Sequence, residues 1–386
     1  MNAKTKIVIA PDSFKESMTA KQAAKAIERG FRSVYQDSIE IDLIPMADGG
    51  EGTTQSLADG LEGTLYEKEV TGPLGNRVTA TYAISGDGST AVIEMAEASG
   101  LHLVPKEKRN PLKTTTFGTG ELMKAALDKD VSKIILGIGG SATNDGGAGM
   151  IEALGGIIYG TGNKTLARGG GALIDLIDID LSNLDPRLKS VEVEVACDVD
   201  NPLLGPNGAS AIYGPQKGAT EEIIVQLDDA LRNFHEVISK ATGKDVKDIP
   251  GAGAAGGLGA GVLAVLDAKL TRGIDIVLRE TNFFARVTNA DLVITGEGRM
   301  DGQTIYGKTP IGVAKAAKQN GVAKVIALCG TLGKGYEAVF EHGIDAAFSI
   351  TPGPCQLEEA ITNGAEFLEG VARNVASICH LPSFIE

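Results

Sequence analysis

The sequence predicts an α/β protein of two domains, a discontinuous Rossmann-like parallel-sheet domain with a mixed α/β domain inserted into it. Three observations carry this expectation. At 386 residues the chain exceeds what a single hydrophobic core usually serves. Both ends alternate short apolar runs with helical patterns, which is how parallel sheets read. Between them lies a stretch of alternating, turn-punctuated residues that breaks the rhythm.

The first sixty residues give a strand at Ile7 to Ala10, an amphipathic helix from Thr19 to Val34, a strand at Ile41 to Ile44 and a helix after Gly52. The last hundred repeat the alternation. Strands fall at Leu292 to Thr295, Val325 to Leu328 and Ala346 to Ile350, with helices near Gly312 to Lys318 and Glu358 to Ser377. Three alternating segments, Thr64 to Val70, Arg77 to Ile84 and Thr90 to Met95, are joined by GPLGN and GDGS turns and read as an antiparallel meander. The strand before Gly137, the strand Val191 to Ala196 and a helix from Thr220 to Ala241 return to α/β character. The expected division is therefore 1–64 with 286–386 for the outer domain and 65–285 for the insert, with ligands bound in a cleft between them.

Composition narrows the function classes. Glycine is in excess, at 51 residues, but it separates well-patterned apolar segments, so the chain is folded rather than low-complexity. A formal charge of −14 argues against nucleic acid or an anionic membrane as partner, because both need clustered Lys and Arg. Cys197, Cys329, Cys355 and Cys379 are far apart and suggest neither a disulfide framework nor a zinc site. The N-terminal MNAKTKIVIAPD leads straight into a strand, and no run reaches the ~18 apolar residues of a membrane span, so a cytoplasmic location is expected.

Three glycine-rich loops point to a phosphate ligand. Leu292 to Gly312 runs from a strand through GEGRMDGQTIYGKT into a helix, and Gly302 to Thr309 matches the GxxxxGK[ST] pattern. In a true P-loop the glycines follow the strand at once, whereas GEGRM intervenes here, and no apolar run ending in aspartate supplies a magnesium partner. A phosphate-handling loop of another kind is the preferred reading. Ile134 to Met150, IILGIGGSATNDGGAGM, sets glycines and Ser141, Thr143, Asn144 and Asp145 between a strand and a helix, where unpaired N–H groups favour anions. Gly251 to Gly261, GAGAAGGLGAG, suits close helix packing or ligand binding equally well.

Polar residues gather at strand ends, where open α/β sheets hold ligands. The first strand delivers Asp12, Ser13 and Lys15, the second Asp48 and Glu51, and strand Val191 to Ala196 delivers Asp198. A turn before the helix would explain Asp12, and an Asx turn before Pro202 would explain Asp198. The alternative is chemistry, since an aspartate rigidly placed past a strand can hold magnesium or accept a proton from an attacking hydroxyl. The four histidines are scattered, and Gly139-Gly140-Ser141-Ala142-Thr143 fails the serine-hydrolase GxSxG elbow at its last position. Carboxylates, lysines, an arginine and glycine loops suit phosphoryl transfer.

The ordered set PDSFKES (Pro11 to Ser17), PMADGGEGT (Pro45 to Thr53), GIGGSATNDGGAGM (Gly137 to Met150), CDVDNPLLG (Cys197 to Gly205), GAGAAGGLG (Gly251 to Gly259) and TGEGRMDGQTIYGKTP (Thr295 to Pro310) resembles the bacterial glycerate kinases of the first type, essentially end to end. The resemblance implies ATP-dependent phosphorylation of D-glycerate with magnesium, and 2-phosphoglycerate as product. It also implies that the P-loop match is coincidental. One departure is Glu16, where the family usually has glycine.

Combining resemblance and residues, Gly139, Gly140, Ser141, Asn144 and Asp145, with Gly253, Gly256 and Gly257, are expected around the ATP phosphates. Asp198 is expected to orient or deprotonate the glycerate hydroxyl, or to hold magnesium. Arg299 and Lys308 are the expected cations for the glycerate carboxylate or the transferred phosphate, with Lys15 beside them. Asp12, Ser13, Asp48, Glu51, Glu297 and Asp301 complete the substrate lining. A glycerate 3-kinase, a kinase of another small hydroxy acid, and a non-catalytic sensor of nucleotides or sugar acids are the competing functions. The sensor would need an effector segment such as a basic recognition helix, and the sequence has none. Homo-oligomerisation is left open.

Overall fold

The computed structural model describes residues 4–50 and 52–380. The chain falls into two compact units, one of Met1–Asp48, Gln55–Leu61 and Ile274–Glu386, the other of Gly49–Thr54 and Glu62–Gly273.

The two ends of the chain share one sheet in the first unit. Its strand order is Ala346–Ser349, Lys324–Cys329, Leu292–Thr295, Thr5–Ile9, Ile39–Leu43, parallel throughout. Ile7 pairs with Leu292 and Ile9 with Ile294, which joins the ends. All four residues of Leu292–Thr295 are buried, as a parallel strand covered on both faces requires. From Thr5–Ile9 the chain crosses through helix Ala20–Tyr35 to one side of the sheet. From Leu292–Thr295 it crosses through helix Thr309–Gln319 to the other. The two central strands therefore flank a topological switch point, where open sheets bind ligands beyond the strands' carboxyl ends.

Local chemistry fixes these helices. Thr19 caps Ala20–Tyr35 in a reciprocal box with Gln22, and Ala20, Ala23, Ala24, Ile27 and Phe31 form its buried stripe. Gly30 lets helix Gly364–His380 pack closely, because a Cβ there would lie 2.6 Å from the Ala372 Cβ. The helix expected over 358–377 is two, Leu357–Thr362 and Gly364–His380. They part at Asn363 and Gly364, where a Cβ on Gly364 would meet the Ser17 Oγ at 2.4 Å.

The second unit has a six-stranded sheet in the order Lys269–Thr271, Glu192–Ala196, Lys133–Gly137, Thr90–Glu94, Arg77–Ile84, Thr64–Thr71. The first four are parallel, and Thr90–Glu94, Arg77–Ile84 and Thr64–Thr71 form the expected three-stranded antiparallel meander. Gly75 and Gly88, at φ 85° and 77°, make its two turns. Helix Glu221–Thr242 starts at the Thr220 cap and stops at left-handed Gly243.

The unit boundaries differ from the sequence expectation in three places, one of them residues 62–64, which go with the second unit. Residues 274–285 go with the first unit, as does the adjoining Arg286, which grips both Asp42 carboxylate oxygens and the Leu43 carbonyl. Gly49–Thr54 goes with the second, where buried Glu94 accepts from the Thr54 N–H at 2.7 Å and the Gly52 N–H at 3.3 Å.

Candidate functional site

The first unit's switch point carries a dense polar cluster. Beyond strand Thr5–Ile9 the backbone stays paired with its neighbour, through Ala10 N–H to Ile294 and Asp12 N–H to Gly296. Gly296 must be glycine, since a Cβ would sit 2.0 Å from the Leu328 carbonyl oxygen. This pairing sets Asp12 beside Glu297.

Asp12 accepts from its neighbour Ser13 N–H at 2.6 Å and from the Thr309 hydroxyl at 2.7 Å. Burial and the charges of Asp48 and Glu297 nevertheless push its pKa up to about 7, against the pull of those hydrogen bonds. Glu297 accepts from the Thr304 hydroxyl at 2.7 Å and pairs with the Lys308 ammonium at 3.4 Å, and burial raises its pKa too. Arg299 pairs with Asp301 at 3.1 Å, yet its side chain stays 68% exposed. Asp301 is held below the usual carboxylate range by the Gln303 N–H, with Lys308 and Arg299 assisting. Lys15 is exposed at the same strand edge.

Of the residues expected to contact substrate, the structure brings Asp12, Ser13, Lys15, Asp48, Glu297, Arg299, Asp301 and Lys308 to one sheet edge. Glu51 lies outside the described residues. The GxxxxGK[ST] segment does not wrap directly from strand to helix. Arg299–Met300 first pairs with Thr331–Leu332 and the chain turns through 301–307, so that Lys308 becomes the N-cap of Thr309–Gln319.

In the second unit, Gly139 and Gly140 are exposed beyond strand Lys133–Gly137, as a ligand-facing loop would have them. The rest of that loop turns inward. Ser141 accepts from the Lys217 ammonium at 2.8 Å, and the same ammonium reaches the Thr143 carbonyl at 2.6 Å. Lys217 is only 1% exposed, and burial drives its pKa down to about 7, opposed by the charge of Asp145. Asn144 donates to the Ser210 hydroxyl at 3.1 Å. Asp145 is buried and accepts from the Thr116 N–H and hydroxyl and from the N–H groups of Gly147 and Gly149.

The glycines of the 251–259 loop serve packing. A Cβ on Gly253 would lie 2.1 Å from the Pro202 carbonyl oxygen, and one on Gly256 2.0 Å from that of Thr143. Gly257 is left-handed, at φ 86°, and its Cβ would press on Leu203. Buried Asp145 likewise has its hydrogen bonds within the chain. Beside Gly253, Gly256 and Gly257 the space that a side chain would take is filled by chain atoms.

Asp198 stands exposed just past strand Glu192–Ala196, where its Oδ1 accepts from the Gly273 N–H at 3.1 Å. Among the described residues no group of three or more His, Cys, Asp or Glu side chains converges as a metal cage. Lys217 was invisible in the sequence, since a lysine in the turn Pro215-Gln216-Lys217-Gly218 reads as solvent-exposed.

Residues 7–380 match the glycerate kinase family, and the chain belongs to that family. It is similar to a glycerate kinase of Halalkalibacterium halodurans, with 61% identity over 96% of this chain and 97% of the other. It is 52% identical to the glycerate 2-kinase of Escherichia coli K12, over 96% and 97% of the two chains. A crystal structure assigned as glycerate kinase 2 of Salmonella typhimurium LT2 superposes with a TM-score of 0.90 at 51% identity, covering 98% of each chain.

Proposed function

We propose that this enzyme, a glycerate kinase, transfers the γ-phosphoryl group of magnesium ATP to the 2-hydroxyl of D-glycerate, in the cytoplasm. The observation that carries the reading is the cluster of Asp12, Glu297, Lys308 and Arg299 at the switch point of a parallel sheet. Phosphoryl transfer is mostly positioning and charge neutralisation, and this cluster holds cations on rigid strand ends. Arg299, largely exposed and able to bind an oxyanion with two N–H groups, takes the glycerate carboxylate or the transferred phosphoryl group, with Lys308 and Lys15 as further cations. Asp198 orients or deprotonates the attacking hydroxyl, or ligates magnesium. When bound, the metal would neutralise phosphate charge. The 2-hydroxyl assignment is supported by the similarity to the Escherichia coli glycerate 2-kinase.

The test is an ADP-release assay with magnesium, ATP and D-glycerate, the product being offered to enolase with and without phosphoglycerate mutase. Direct consumption establishes the 2-phosphate. A requirement for mutase makes the enzyme a 3-kinase, and no ADP above the glycerate-free control sinks the proposal.

A further inference from the structure

The first unit contains a cavity of about 490 Å³ in which, of the residues given roles above, only Lys15 takes part. Its walls come from the loops that follow four neighbouring parallel strands, at residues 14–17, 298, 330–331 and 350–364. We infer that this cavity is the nucleoside subsite of the phosphoryl donor, with the adenine held among Phe14, Ile350, Leu357 and Ile361. The inference rests on the reading that ATP is that donor.

Size and chemistry favour a nucleoside over the acid. Small-molecule sites commonly enclose ~300–1,000 Å³ and are lined mostly by apolar groups with a few polar ones. Glycerate has a hydroxyl or carboxylate on every carbon and no apolar face to bury, so apolar walls give it nothing. A purine ring has two such faces. Leu357 is 73% exposed at the cavity, an apolar side chain that nothing in the chain covers. Ser17 has its hydroxyl engaged with the Ile361 carbonyl at 2.7 Å, which fixes the wall rather than offering a contact.

The direction of the phosphate chain follows from connectivity. Phe14 and Lys15 continue the loop that carries Asp12 and Ser13, and Gly298 lies between Glu297 and Arg299. The cavity and the polar cluster thus share two loops. A Cβ on Gly298 would be no nearer than 3.5 Å to any neighbour, and one on Gly353 would meet nothing within 4 Å. Phosphates can therefore run close along the backbone from cavity to cluster, with the exposed Lys15 beside them. The terminal phosphate then arrives among Glu297, Lys308 and Arg299.

Cys355 lines the cavity as a free, part-exposed thiol and makes a local reporter, with exposed Cys379 as an internal control. The full-length enzyme is treated with iodoacetamide alone, with magnesium and the non-hydrolysable analogue AMPPNP, or with D-glycerate, and each cysteine is followed by mass spectrometry. AMPPNP should slow labelling of Cys355 at least ~10-fold and leave Cys379 unchanged, while D-glycerate does neither. Protection by D-glycerate instead, or equal rates in all three samples, overturns the inference. Gly353→Trp and Leu357→Asp supply a second readout. Neither position packs against the core, and the expected effect is a ~10-fold or greater rise in KM for ATP with KM for D-glycerate within about 2-fold. An unchanged KM for ATP in both variants overturns it. Failure of the underlying reading is distinct, because the unmodified enzyme would then release no glycerate-dependent ADP at all.

Discussion

The Thr309 hydroxyl donates a 2.7 Å hydrogen bond to the Asp12 carboxylate, tying the first turn of helix Thr309–Gln319 to the end of the first strand. This bond favours the ionised form of Asp12 and partly offsets burial and the neighbouring carboxylates. Thr309→Val is predicted to raise the Asp12 pKa above its present value of about 7. The acid limb of kcat/KM for D-glycerate should then move to higher pH, and stability should fall by about 1–2 kcal/mol. Steady-state pH profiles and urea titrations of the two proteins check both. An unmoved limb would mean that Asp12 is not the group being titrated.

Two buried groups give stability an unusual pH dependence. The Asp12 pKa is raised from 3.8 to about 7, so the folded state binds that proton more tightly. Its contribution is fully present below about pH 4 and is lost as pH rises through 7. The Lys217 pKa is lowered from 10.5 to about 7, so between those values the unfolded chain binds the proton more tightly, and stability rises with pH. Together they predict a shallow minimum near neutrality. Asp12→Asn should flatten the acid side and Lys217→Met the alkaline side, each by roughly 1–2 kcal/mol. Urea denaturation at about pH 5, 7 and 9 reads these slopes, and parallel curves for wild type and both variants would refute the assignment.

Glu16 has φ 64°, in the left-handed region where a Cβ is unfavourable. A glycine, which the resemblance implies at this position, would adopt that conformation freely, whereas Glu16 sits there under strain. Glu16→Gly relieves about 1–2 kcal/mol of that strain and gives back part of it through a freer unfolded chain. The net prediction is a gain of about 0.5–1 kcal/mol, which for a chain of this size raises Tm by roughly 0.5–1.5 °C. Calorimetry showing a lower Tm would reverse the sign of the argument.

The parallel strands were readable because strands buried on both faces leave short, unbroken apolar runs, as at Leu292–Thr295. The joining of both chain ends in one sheet followed from their shared strand-helix rhythm. Lys269–Thr271 went unread because three residues carry no period. The placement of Asp12 and Glu297 at one sheet edge was legible from their position just beyond strands. At Gly253, Gly256 and Gly257 composition alone cannot distinguish a backbone that admits a phosphate from one that admits another loop. Only the 2.0–2.1 Å approaches of carbonyl oxygens to Gly253 and Gly256 separate the two. Lys217 could not be found at all, since its burial depends on Ser141 and Thr143, more than seventy residues earlier.

Asp198 offers the sharpest separation of chemistry from folding. It stands exposed at the end of strand Glu192–Ala196, where its Oδ1 accepts from the Gly273 N–H at 3.1 Å. An asparagine keeps the side-chain oxygen that accepts this bond, so Asp198→Asn should leave the melting temperature within about 1 °C of wild type, as surface substitutions usually do. What it removes is negative charge. A carboxylate that takes the hydroxyl proton, or that holds the metal, loses that capacity as an amide, and turnover should drop by about 10²–10⁴. Magnesium titration then divides the two roles. A variant that has lost a metal ligand should recover part of its rate at high magnesium, whereas one that has lost a base should not, and a variant with near-normal turnover removes Asp198 from the mechanism.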